Sequence, residues 1–384
     1  MDKRKRKGRT EGLIGKIFIL CLILVMIVNF IVPDKKKSDE ENRMLESMPR
    51  LSLTSITTGD FMEQWEAYMS DQFVGRNVWR QLKVGFDRLG GSSMENGVYI
   101  GKDGQLLEDI ALPDDGQYSA NIDAIKSFAE TYSDIPVTVM LVPDAASILS
   151  SSLPAFASVE DQRQMFSMVE RGLGDSVNWV DVYSILNSRK AEKLYYKTDH
   201  HWTTQGAFYV FRETAAGFGI EGDVSDDYVS YTVTDSFNGV LAAKSGVGLN
   251  EKESIEIYVP ASGDDDVVVN YVDEAKKTSS LYDSSKLETR DKYAVFFGGN
   301  TSVMDIKTVS PSSKRLLVVK DSFANCFIPF LTPYYREIVV VDPRYYSGTM
   351  KDIMDTYRIT DTLIMYSGNT FVTDNHISGV FTGE

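Results

Sequence analysis

Short apolar segments with the length of buried strands alternate with helical patterns over two stretches of this chain of 384 residues. Strands that alternate with helices favour a mostly parallel sheet covered by helices on both faces, so we expect an α/β domain. The predicted strands are Val137–Val142, Val177–Val182, Arg315–Val319, Ile338–Val341 and Thr362–Tyr366. The predicted helices lie near Tyr118–Tyr132, Val159–Leu173, Ala207–Phe218, Ala324–Leu331 and Met350–Tyr357.

The segment between about residues 222 and 309 interrupts this alternation, and it is rich in Thr, Val, Tyr, Ser and Asp. Its short extended runs predict a β-rich insertion or an extension of the sheet. These runs are Ser230–Thr234, Ile255–Val259, Val267–Val272 and Tyr293–Phe297.

The N-terminus has the composition of a membrane anchor. Residues 1–12 form a basic tail, and the apolar run from Leu13 to Val32 would span roughly 30 Å as a helix. A signal peptide is the alternative, but no small-residue cleavage site follows before Pro33. The heavier basic cluster before the span favours a cytoplasmic N-terminus. We therefore expect a tether at residues 33–58 and an extracytoplasmic domain at residues 59–384.

Apolar and aromatic residues recur at helical spacing between Asp60 and Leu89, with a break at Gly75-Arg76-Asn77. The spacing predicts two helices whose apolar stripes face the core. The residues of these stripes are Phe61, Trp65, Tyr68, Met69, Phe73, Trp79, Leu82 and Phe86.

Charge and cysteine content narrow the class of protein. The formal net charge is −15, which argues against nucleic acid as a partner and against broad adhesion to anionic lipid. Cys21 lies in the apolar run and Cys326 lies far from it, so we expect no disulfide between them. An external domain without a disulfide favours a bacterial cell envelope.

Ser322 lies at a predicted strand-to-helix turn, a position that suits a catalytic nucleophile. The strand predicted at Arg315–Val319 is followed by Lys320 and then by Asp321 and Ser322. An apolar helical pattern comes after them. Such a corner lies at the carboxyl edge of a parallel sheet, where open α/β sheets bind ligands. Helix N–H groups near Ser322 would also stabilise an oxyanion. Simple capping of the helix by Asp321 or Ser322 is the structural alternative.

Two of the chain's three histidines are adjacent, in Thr198-Asp199-His200-His201-Trp202. A carboxylate close to an imidazole accepts its Nδ1–H and leaves Nε2 free to take a proton from a serine. Spacing alone does not distinguish His200 from His201 as this base. Ordinary packing in a loop or core is one alternative. A metal site of Asp199, His200 and His201 is a weaker one, because adjacent histidines rarely chelate one ion with good geometry.

The motif at residues 198–203, together with Lys320-Asp321-Ser322-Phe323-Ala324-Asn325, resembles a bacterial family named for its Asp-His-His-Trp motif. Three further segments carry the resemblance: Glu41-Asn42-Arg43, Asn96–Gly101 and Phe237-Asn238-Gly239. That family is similar to the extracytoplasmic alginate O-acetyltransferases, so the resemblance implies an SGNH-hydrolase-like, flavodoxin-like α/β fold. Lys320 stands where those transferases usually have glycine, and the β-rich segment is not their carbohydrate-binding module.

The resemblance also implies roles for individual residues. Ser322 becomes the nucleophile, His201 the general base and Asp199 the residue that orients the base. His200 becomes a neighbour of the site.

Further oxyanion or substrate candidates are Asn369, Arg344, Trp202 and His200. SGNH enzymes complete the oxyanion hole with a glycine and an asparagine from other loops, and Asn369 follows the last predicted strand. Arg344, after the strand predicted at Ile338–Val341, is a candidate for binding an anionic group at the same sheet edge.

The function implied by the resemblance is O-acylation of an envelope or exported polysaccharide by a membrane-anchored enzyme. The reaction would run through a Ser-His-Asp triad and an acyl-enzyme, with no metal or organic cofactor. A membrane-bound O-acyltransferase is the implied partner that supplies the acyl group. A carbohydrate esterase and a non-catalytic polysaccharide-binding or envelope-assembly protein are the alternatives.

Overall fold

The computed structural model describes residues 2–38, 43–113, 115–263 and 266–383, with the backbone alone at residues 2–12, Arg43 and Asp115. Two units divide the chain between Ser92 and Ser93. This division falls later than the domain start predicted at residue 59, because the helices of residues 60–89 belong to the first unit. Glu41 and Asn42, which contribute to the family resemblance, lie outside the described residues.

The first unit is largely helical. Its elements are α1 (Asp2–Ile31), β1 (Lys37–Ser38), β2 (Arg43–Met44), α2 (Leu53–Thr58), α3 (Asp60–Gln72) and α4 (Arg76–Leu89). Within α1, Leu13–Ile31 is long and apolar enough to cross a membrane, and no second such helix occurs among the described residues. A helix of this kind near an N-terminus is typical of a membrane anchor or of a signal sequence.

Helices α3 and α4 confirm the prediction of two helices that meet near Gly75. The stripe predicted along α3 is half-buried, whereas the burial predicted for the stripe of α4 is wrong. Asp71 and Val84 are the buried residues of these two helices, whereas Trp79, Leu82 and Phe86 are exposed. Helical spacing predicts that an apolar stripe exists, but it does not specify what covers that stripe.

The second unit contains the α/β fold. Its strands are β3 (Met94–Glu95), β4 (Val98–Ile100), β5 (Leu106–Glu108), β6 (Val137–Val142), β7 (Asn178–Val180), β8 (Tyr228–Phe237), β9 (Glu253–Pro260), β10 (Val267–Tyr271), β11 (Lys276–Thr278), β12 (Val303–Thr308), β13 (Arg315–Lys320), β14 (Glu337–Val341) and β15 (Asp361–Ser367). Its α-helices are α5 (Asp115–Thr131), α6 (Ala145–Ile148), α7 (Gln162–Leu173), α8 (Val182–Ser188), α9 (Thr204–Thr214), α10 (Val240–Ser245), α11 (Met350–Tyr357), α12 (Gly368–Thr373) and α13 (His376–Thr382). Short 3₁₀ segments lie at Lys102–Gly104, Ser150–Ser152, Gly174–Ser176, Ala215–Phe218, Ser284–Glu288, Lys292–Val295, Ser322–Cys326 and Ile328–Leu331.

The central sheet has eight strands in the order β11-β10-β12-β14-β13-β15-β6-β7. The five strands from β14 to β7 are parallel, and β12, β10 and β11 add antiparallel strands at the other edge. Strand β13 lies between β14 and β15, and its Leu316–Lys320 is buried, as expected for a strand covered on both faces. The predicted mostly parallel α/β sheet is confirmed.

The β-rich segment combines both predicted possibilities. Strands β8 and β9 form a separate antiparallel pair, while β10, β11 and β12 extend the central sheet. The strand predicted at Tyr293–Phe297 is wrong, because residues Lys292–Val295 form a 3₁₀ turn. The predicted helix Ala324–Leu331 is instead two 3₁₀ segments, and Pro329 at the start of the second lacks the N–H that an α-helix would need.

The strand predicted at Val177–Val182 is too long at its C-terminal end. It ends at Val180, because the Asp181 side chain accepts from the backbone N–H of Ser184 and starts α8 at Val182. A capping aspartate thus ends the strand where the apolar run continues.

Candidate active site

The corner after β13 projects Ser322 from the carboxyl edge of the central sheet. Asp321 is buried, and its Oδ1 accepts from the N–H of Phe323 at 2.9 Å. Its Oδ2 accepts from the N–H of Ser367, at the end of β15, also at 2.9 Å. The capping role therefore belongs to Asp321, and the side chain of half-buried Ser322 is available for other contacts.

The histidine motif lies in a loop that leads into α9. The loop closes through an isolated bridge between Tyr195 and Trp202 and a bond from the N–H of Thr203 to the carbonyl of Leu194. The hydroxyl of Thr203 accepts from the N–H of Gly206, which makes Thr203 the N-cap of α9. Both histidines of the motif therefore precede the helix.

The loop and the serine corner meet at one line of hydrogen bonds. Asp199 Oδ1 lies 2.6 Å from His201 Nδ1, and His201 Nε2 lies 2.8 Å from Ser322 Oγ. The backbone N–H of His201 donates to the same Asp199 oxygen at 3.0 Å. The carboxylate thus holds the proton on Nδ1 and leaves Nε2 as the acceptor that faces the serine hydroxyl.

The second oxygen of Asp199 is held by the β-rich segment. The N–H of Val240, at the start of α10, donates to Asp199 Oδ2 at 2.9 Å. The N–H of Gly239 donates to Thr198 Oγ1 at 2.9 Å. A Cβ atom at Gly239 would lie 2.5 Å from Asp199 Oδ2 and 2.6 Å from the Thr198 carbonyl oxygen. The glycine therefore permits a close backbone approach to the carboxylate.

Glu253, at the start of β9, fixes the other side of the motif. One carboxylate oxygen accepts from the backbone N–H of Lys197 at 2.8 Å. The other accepts from the N–H and the hydroxyl of Thr198, at 2.9 and 2.6 Å. The β-rich segment thus contacts both Thr198 and Asp199, a role that the sequence did not reveal.

Burial and neighbouring charges determine the protonation states of Asp199 and His201. Burial opposes ionisation of Asp199, but the neighbouring imidazoles and N–H donors outweigh it and hold the pKa of the carboxyl well below its usual range. Burial, together with the nearby His200, lowers the pKa of His201, although Asp199 acts in the opposite direction. A buried neutral imidazole beside an ionised carboxylate is the arrangement that a general base requires.

The two histidines differ in position. His200 is half-buried, with Nδ1 3.7 Å from Asp199 Oδ1, and its ring centroid lies 4.0 Å from that of His201. In contrast, His201 contacts both Asp199 and Ser322. The tertiary contacts therefore distinguish the two residues that their spacing left equivalent.

Trp202 packs in the core next to the serine corner. Its side chain is fully buried, and its Nε1–H donates to the carbonyl of Phe323 at 2.8 Å. The indole also stacks on Phe327, with ring centroids 6.3 Å apart. This bond ties the histidine loop directly to the serine corner, so Trp202 has the contacts of a positioning residue.

Tyr293 is a part of the site that sequence reasoning missed. Its buried ring stacks on the imidazole of His201, with centroids 3.8 Å apart and an angle of 14° between the planes. Tyr293 belongs to the segment predicted as a strand, and no local pattern pointed to the histidine.

Asn369 follows β15, as predicted, and lies in the first turn of α12. Its backbone N–H donates to Asp144 Oδ2 at 2.8 Å, its Oδ1 accepts from the N–H of Ala111, and its Nδ2 donates to the carbonyl of Asp109. Burial raises the pKa of Asp144 to about 7. These bonds use the amide oxygen and one of the two amide hydrogens of Asn369.

Arg344 pairs with a buried carboxylate at the same sheet edge. Its Nε and Nη2 donate to the two oxygens of Asp342 at 2.9 and 2.7 Å. Lys320 Nζ is fully buried and lies 3.3 Å from Asp342 Oδ2 and 2.8 Å from Asn300 Oδ1. Burial lowers the pKa of Lys320, whereas the two cations outweigh burial and lower the pKa of Asp342. The lysine that replaces the expected glycine therefore forms an ion pair with Asp342 inside the protein, and Asp342 also binds Arg344.

The ligand atoms of Asp199, His200 and His201 lie within 4.8 Å of one another. Both nitrogens of His201 and both oxygens of Asp199 already have hydrogen-bond partners. A metal ion here would have to displace the contacts with Ser322 or Val240. The donor set therefore fits a proton-transfer site better than a metal site.

The model of a protein family described as "DHHW protein" matches residues 113–341, which include both the histidine motif and Ser322. The chain belongs to the DHHW family. A comparison with curated protein sequences finds no match.

Solved structures share the fold of this DHHW protein. A DHHW family protein from Eubacterium siraeum aligns with a TM-score of 0.64 and 23% identity, over 76% of this chain and 96% of that one. Bacillus cereus PatB1, in a structure with a sulfonyl adduct, aligns with a TM-score of 0.61 and 19% identity, over 73% and 96% of the two chains. The O-acetyltransferase domain of Pseudomonas putida AlgJ aligns with a TM-score of 0.47 and 14% identity, over 75% and 99%. The first two of these structures share the α/β fold of this chain, so the predicted α/β fold class is confirmed.

Proposed function

We propose that this DHHW protein is an extracytoplasmic serine O-acyltransferase that acetylates a polysaccharide hydroxyl through an acyl-enzyme. The observation that carries the proposal is the continuous line of hydrogen bonds from Asp199 through His201 to Ser322, with distances of 2.6 and 2.8 Å. A serine hydroxyl is a weak nucleophile at neutral pH, and an oriented imidazole is what activates it.

The first half of the reaction forms the acyl-enzyme. Ser322 Oγ attacks the carbonyl carbon of the acetyl donor while His201 Nε2 takes the hydroxyl proton. Asp199 stabilises the imidazolium that results. The tetrahedral intermediate collapses, the bond to the leaving group breaks, and His201 returns the proton to that group.

The second half transfers the acetyl group. His201 Nε2 takes the proton of an acceptor hydroxyl, whose oxygen attacks the carbonyl carbon of the acetyl-serine. The ester bond to Ser322 then breaks, and the proton passes back to Ser322 Oγ. The backbone N–H of Ser322 is our candidate donor to the oxyanion, and the Asn369 amide is the second.

Two considerations favour a transferase over an esterase. The sequence resemblance leads to alginate O-acetyltransferases, and α1 suits an uncleaved anchor that keeps the second unit outside the cytoplasm. Acyl groups used outside the cytoplasm must cross a membrane, so a membrane-bound O-acyltransferase is the proposed donor partner. Arg344 is proposed to face an anionic group of the donor or acceptor.

A chromogenic acetyl ester tests the triad in the full chain. We expect Ser322→Ala and His201→Ala to lose about 10⁴-fold or more in turnover, as removal of such residues does elsewhere. His200→Ala is the matched control because it changes the adjacent histidine, and it should retain most of the activity. Equal losses in both histidine variants would contradict the assignment, and full activity in Ser322→Ala would exclude the mechanism.

A sulfonyl fluoride gives a second readout, because sulfonyl electrophiles react with activated serine hydroxyls. The likeness to PatB1, whose structure holds a sulfonyl adduct, suggests this probe. Intact mass should show one added sulfonyl group on the parent and none on Ser322→Ala. Supplying a polysaccharide during ester turnover then separates the two reactions, since a transferase acetylates the glycan and an esterase releases acetate alone.

A further inference from the structure

Helix α4 carries an apolar stripe that stays exposed. The stripe follows the spacing of three and four residues that places side chains on one helix face. Phe86 is 70% exposed and Leu89 is 87% exposed. A contiguous exposed apolar surface marks a site of interaction with a membrane or another molecule. The members of the stripe are Val78, Trp79, Leu82, Phe86 and Leu89.

The stripe starts beside the end of the apolar helix α1. The N–H of Val74 donates to Oδ1 of Asn29, in the last turn of α1, at 2.8 Å. The Gln72 side chain accepts from the N–H of Lys35 at 2.9 Å and donates to the carbonyl of the same residue at 3.0 Å. The turn between α3 and α4 is therefore held against the residues that leave the apolar span.

The charges around α4 complement an anionic surface. Although the whole chain carries a net charge of −15, α4 has four basic residues and one acidic residue. Screening limits surface electrostatics to about 10 Å, so local charge rather than net charge decides contact with a bilayer. Lysines 35–37 and Arg76 line one open cavity of about 630 Å³ at the same turn, together with Asp71, whose Oδ1 lies 3.4 Å from Arg76 Nη2. The charged residues of α4 are Arg76, Arg80, Lys83, Asp87 and Arg88.

We propose that α4 is an interfacial helix that lies in the plane of the membrane surface, with its apolar stripe among the lipids. This inference rests on the proposed anchoring by α1, which brings α4 to the bilayer. The helix is about 21 Å long, and such helices bury their apolar face roughly 5–10 Å into the boundary between headgroups and acyl chains. Lys83 and Arg88 lie on either side of the stripe, where their stems follow the apolar surface. Lys83 Nζ bonds Asp87 Oδ2 at 2.7 Å, so Arg88 is the proposed contact of this helix with lipid phosphates.

Spin labels on the full chain test this placement. The background is Cys21→Ser, since Cys326 is buried. Single labels are placed through Leu82→Cys and Phe86→Cys on the stripe, and through Gln81→Cys as the matched control on a neighbouring exposed face. A label through Leu24→Cys reports separately on the α1 span. The variants are reconstituted in nanodiscs of phosphatidylcholine, with or without phosphatidylglycerol, and must retain the ester turnover of the parent.

We expect the ratio of oxygen accessibility to nickel-chelate accessibility to exceed one at positions 82 and 86 and to fall below one at position 81. The ratio at position 82 should rise further with phosphatidylglycerol, and equal ratios in both lipids would contradict the charge argument. A ratio below one at position 82 overturns the proposal, because the stripe then faces water. Shielding from both reagents also overturns it, because a protein surface then covers the stripe.

The Leu24 label keeps the two hypotheses apart. A lipid-buried Leu24 with a water-exposed Leu82 refutes the interfacial helix and preserves the anchor. A lipid-exposed stripe with Leu24 outside the bilayer refutes the anchor and preserves the interfacial helix.

Discussion

Substitution of Gly239 by alanine should displace the carboxylate that orients the base. The backbone of Gly239 has φ −83° and ψ −176°, an extended conformation that alanine adopts without strain. The new Cβ, however, would lie 2.5 Å from Asp199 Oδ2, and real Cβ contacts essentially never fall below 3.0 Å. The effect of Gly239→Ala therefore comes from steric contact alone, because the new Cβ would clash with the Cβ and Oδ2 of Asp199 and with the carbonyl oxygen of Thr198.

The size of the effect follows from the displacement. The contact with Oδ2 requires a shift of about 0.5 Å to reach 3.0 Å, and the shorter contact with Asp199 Cβ requires more, so the Asp199 residue or the Gly239 backbone has to move by more than about 0.5 Å. A misplacement of about 1 Å costs roughly 10²-fold in rate, which corresponds to about 2.7 kcal/mol of transition-state stabilisation. We expect turnover of the chromogenic ester to fall between about 10- and 100-fold, mainly in kcat, because the contact lies behind the histidine.

The assay compares kcat, KM and thermal unfolding for Gly239→Ala with those of the parent and of Gly217→Ala. Gly217 is a matched control because it is exposed and a Cβ there would have no heavy atom within 4 Å. Overpacking typically costs about 1–3 kcal/mol of stability, so rates are measured well below the unfolding transition. Turnover within twofold of the parent in a folded Gly239→Ala protein would refute the argument that this contact sets the position of Asp199.

Four further predictions concern the same site. Asp199→Asn should lower kcat about 10⁴-fold with little change in unfolding temperature, since the amide favours the wrong imidazole tautomer; a loss below tenfold would contradict an orienting role. The kcat/KM of the parent should fall as pH decreases through the pKa of His201, with a midpoint below the usual histidine value of about 6.5 because burial lowers that pKa; a midpoint above it would be the wrong sign. Trp202→Phe should destabilise the protein by about 1–3 kcal/mol in urea unfolding, because the carbonyl of Phe323 loses the indole N–H and keeps only the weaker thiol donor of Cys326; unchanged stability would contradict a structural role for this bond. Lys320→Met should lower the free energy of unfolding by about 1–3 kcal/mol, because Asp342 keeps Arg344 but loses the charged hydrogen bond from Lys320; an unchanged denaturant midpoint would count against this pairing.

Local sequence patterns determined the elements that carry the site. Strand β6 begins and ends at the predicted residues, and α11 does so as well. An apolar, β-branched run that ends at Asp321 and Ser322 predicts a serine at the edge of a parallel sheet. The length and burial of a strand can be predicted here because they depend on residues that are adjacent in sequence. Errors occurred where a cap or a proline acted against the apolar pattern, as at Asp181 and Pro329.

Other features could not be read from neighbouring residues. The exposed stripe of α4 has the same spacing as a buried one, so the burial predicted for it was wrong. The contacts of Asn369 with Asp109, Ala111 and Asp144 join segments more than 200 positions apart in the chain. Such pairings leave no periodic signal, because they depend on how strands are ordered in the sheet.

The sequence by itself determined an α/β fold, an apolar N-terminal helix, and two short motifs that suit proton transfer and nucleophilic attack. Residue spacing left His200 and His201 equivalent and the family resemblance implied His201, but only the tertiary structure brings His201 to Ser322, across 121 positions of chain. It also assigned a role to the β-rich segment, which places Val240, Glu253 and Tyr293 around the histidine motif. The physical reason is that hydrophobic periodicity is a local property, whereas the orientation of an imidazole depends on partners that only the folded chain brings together.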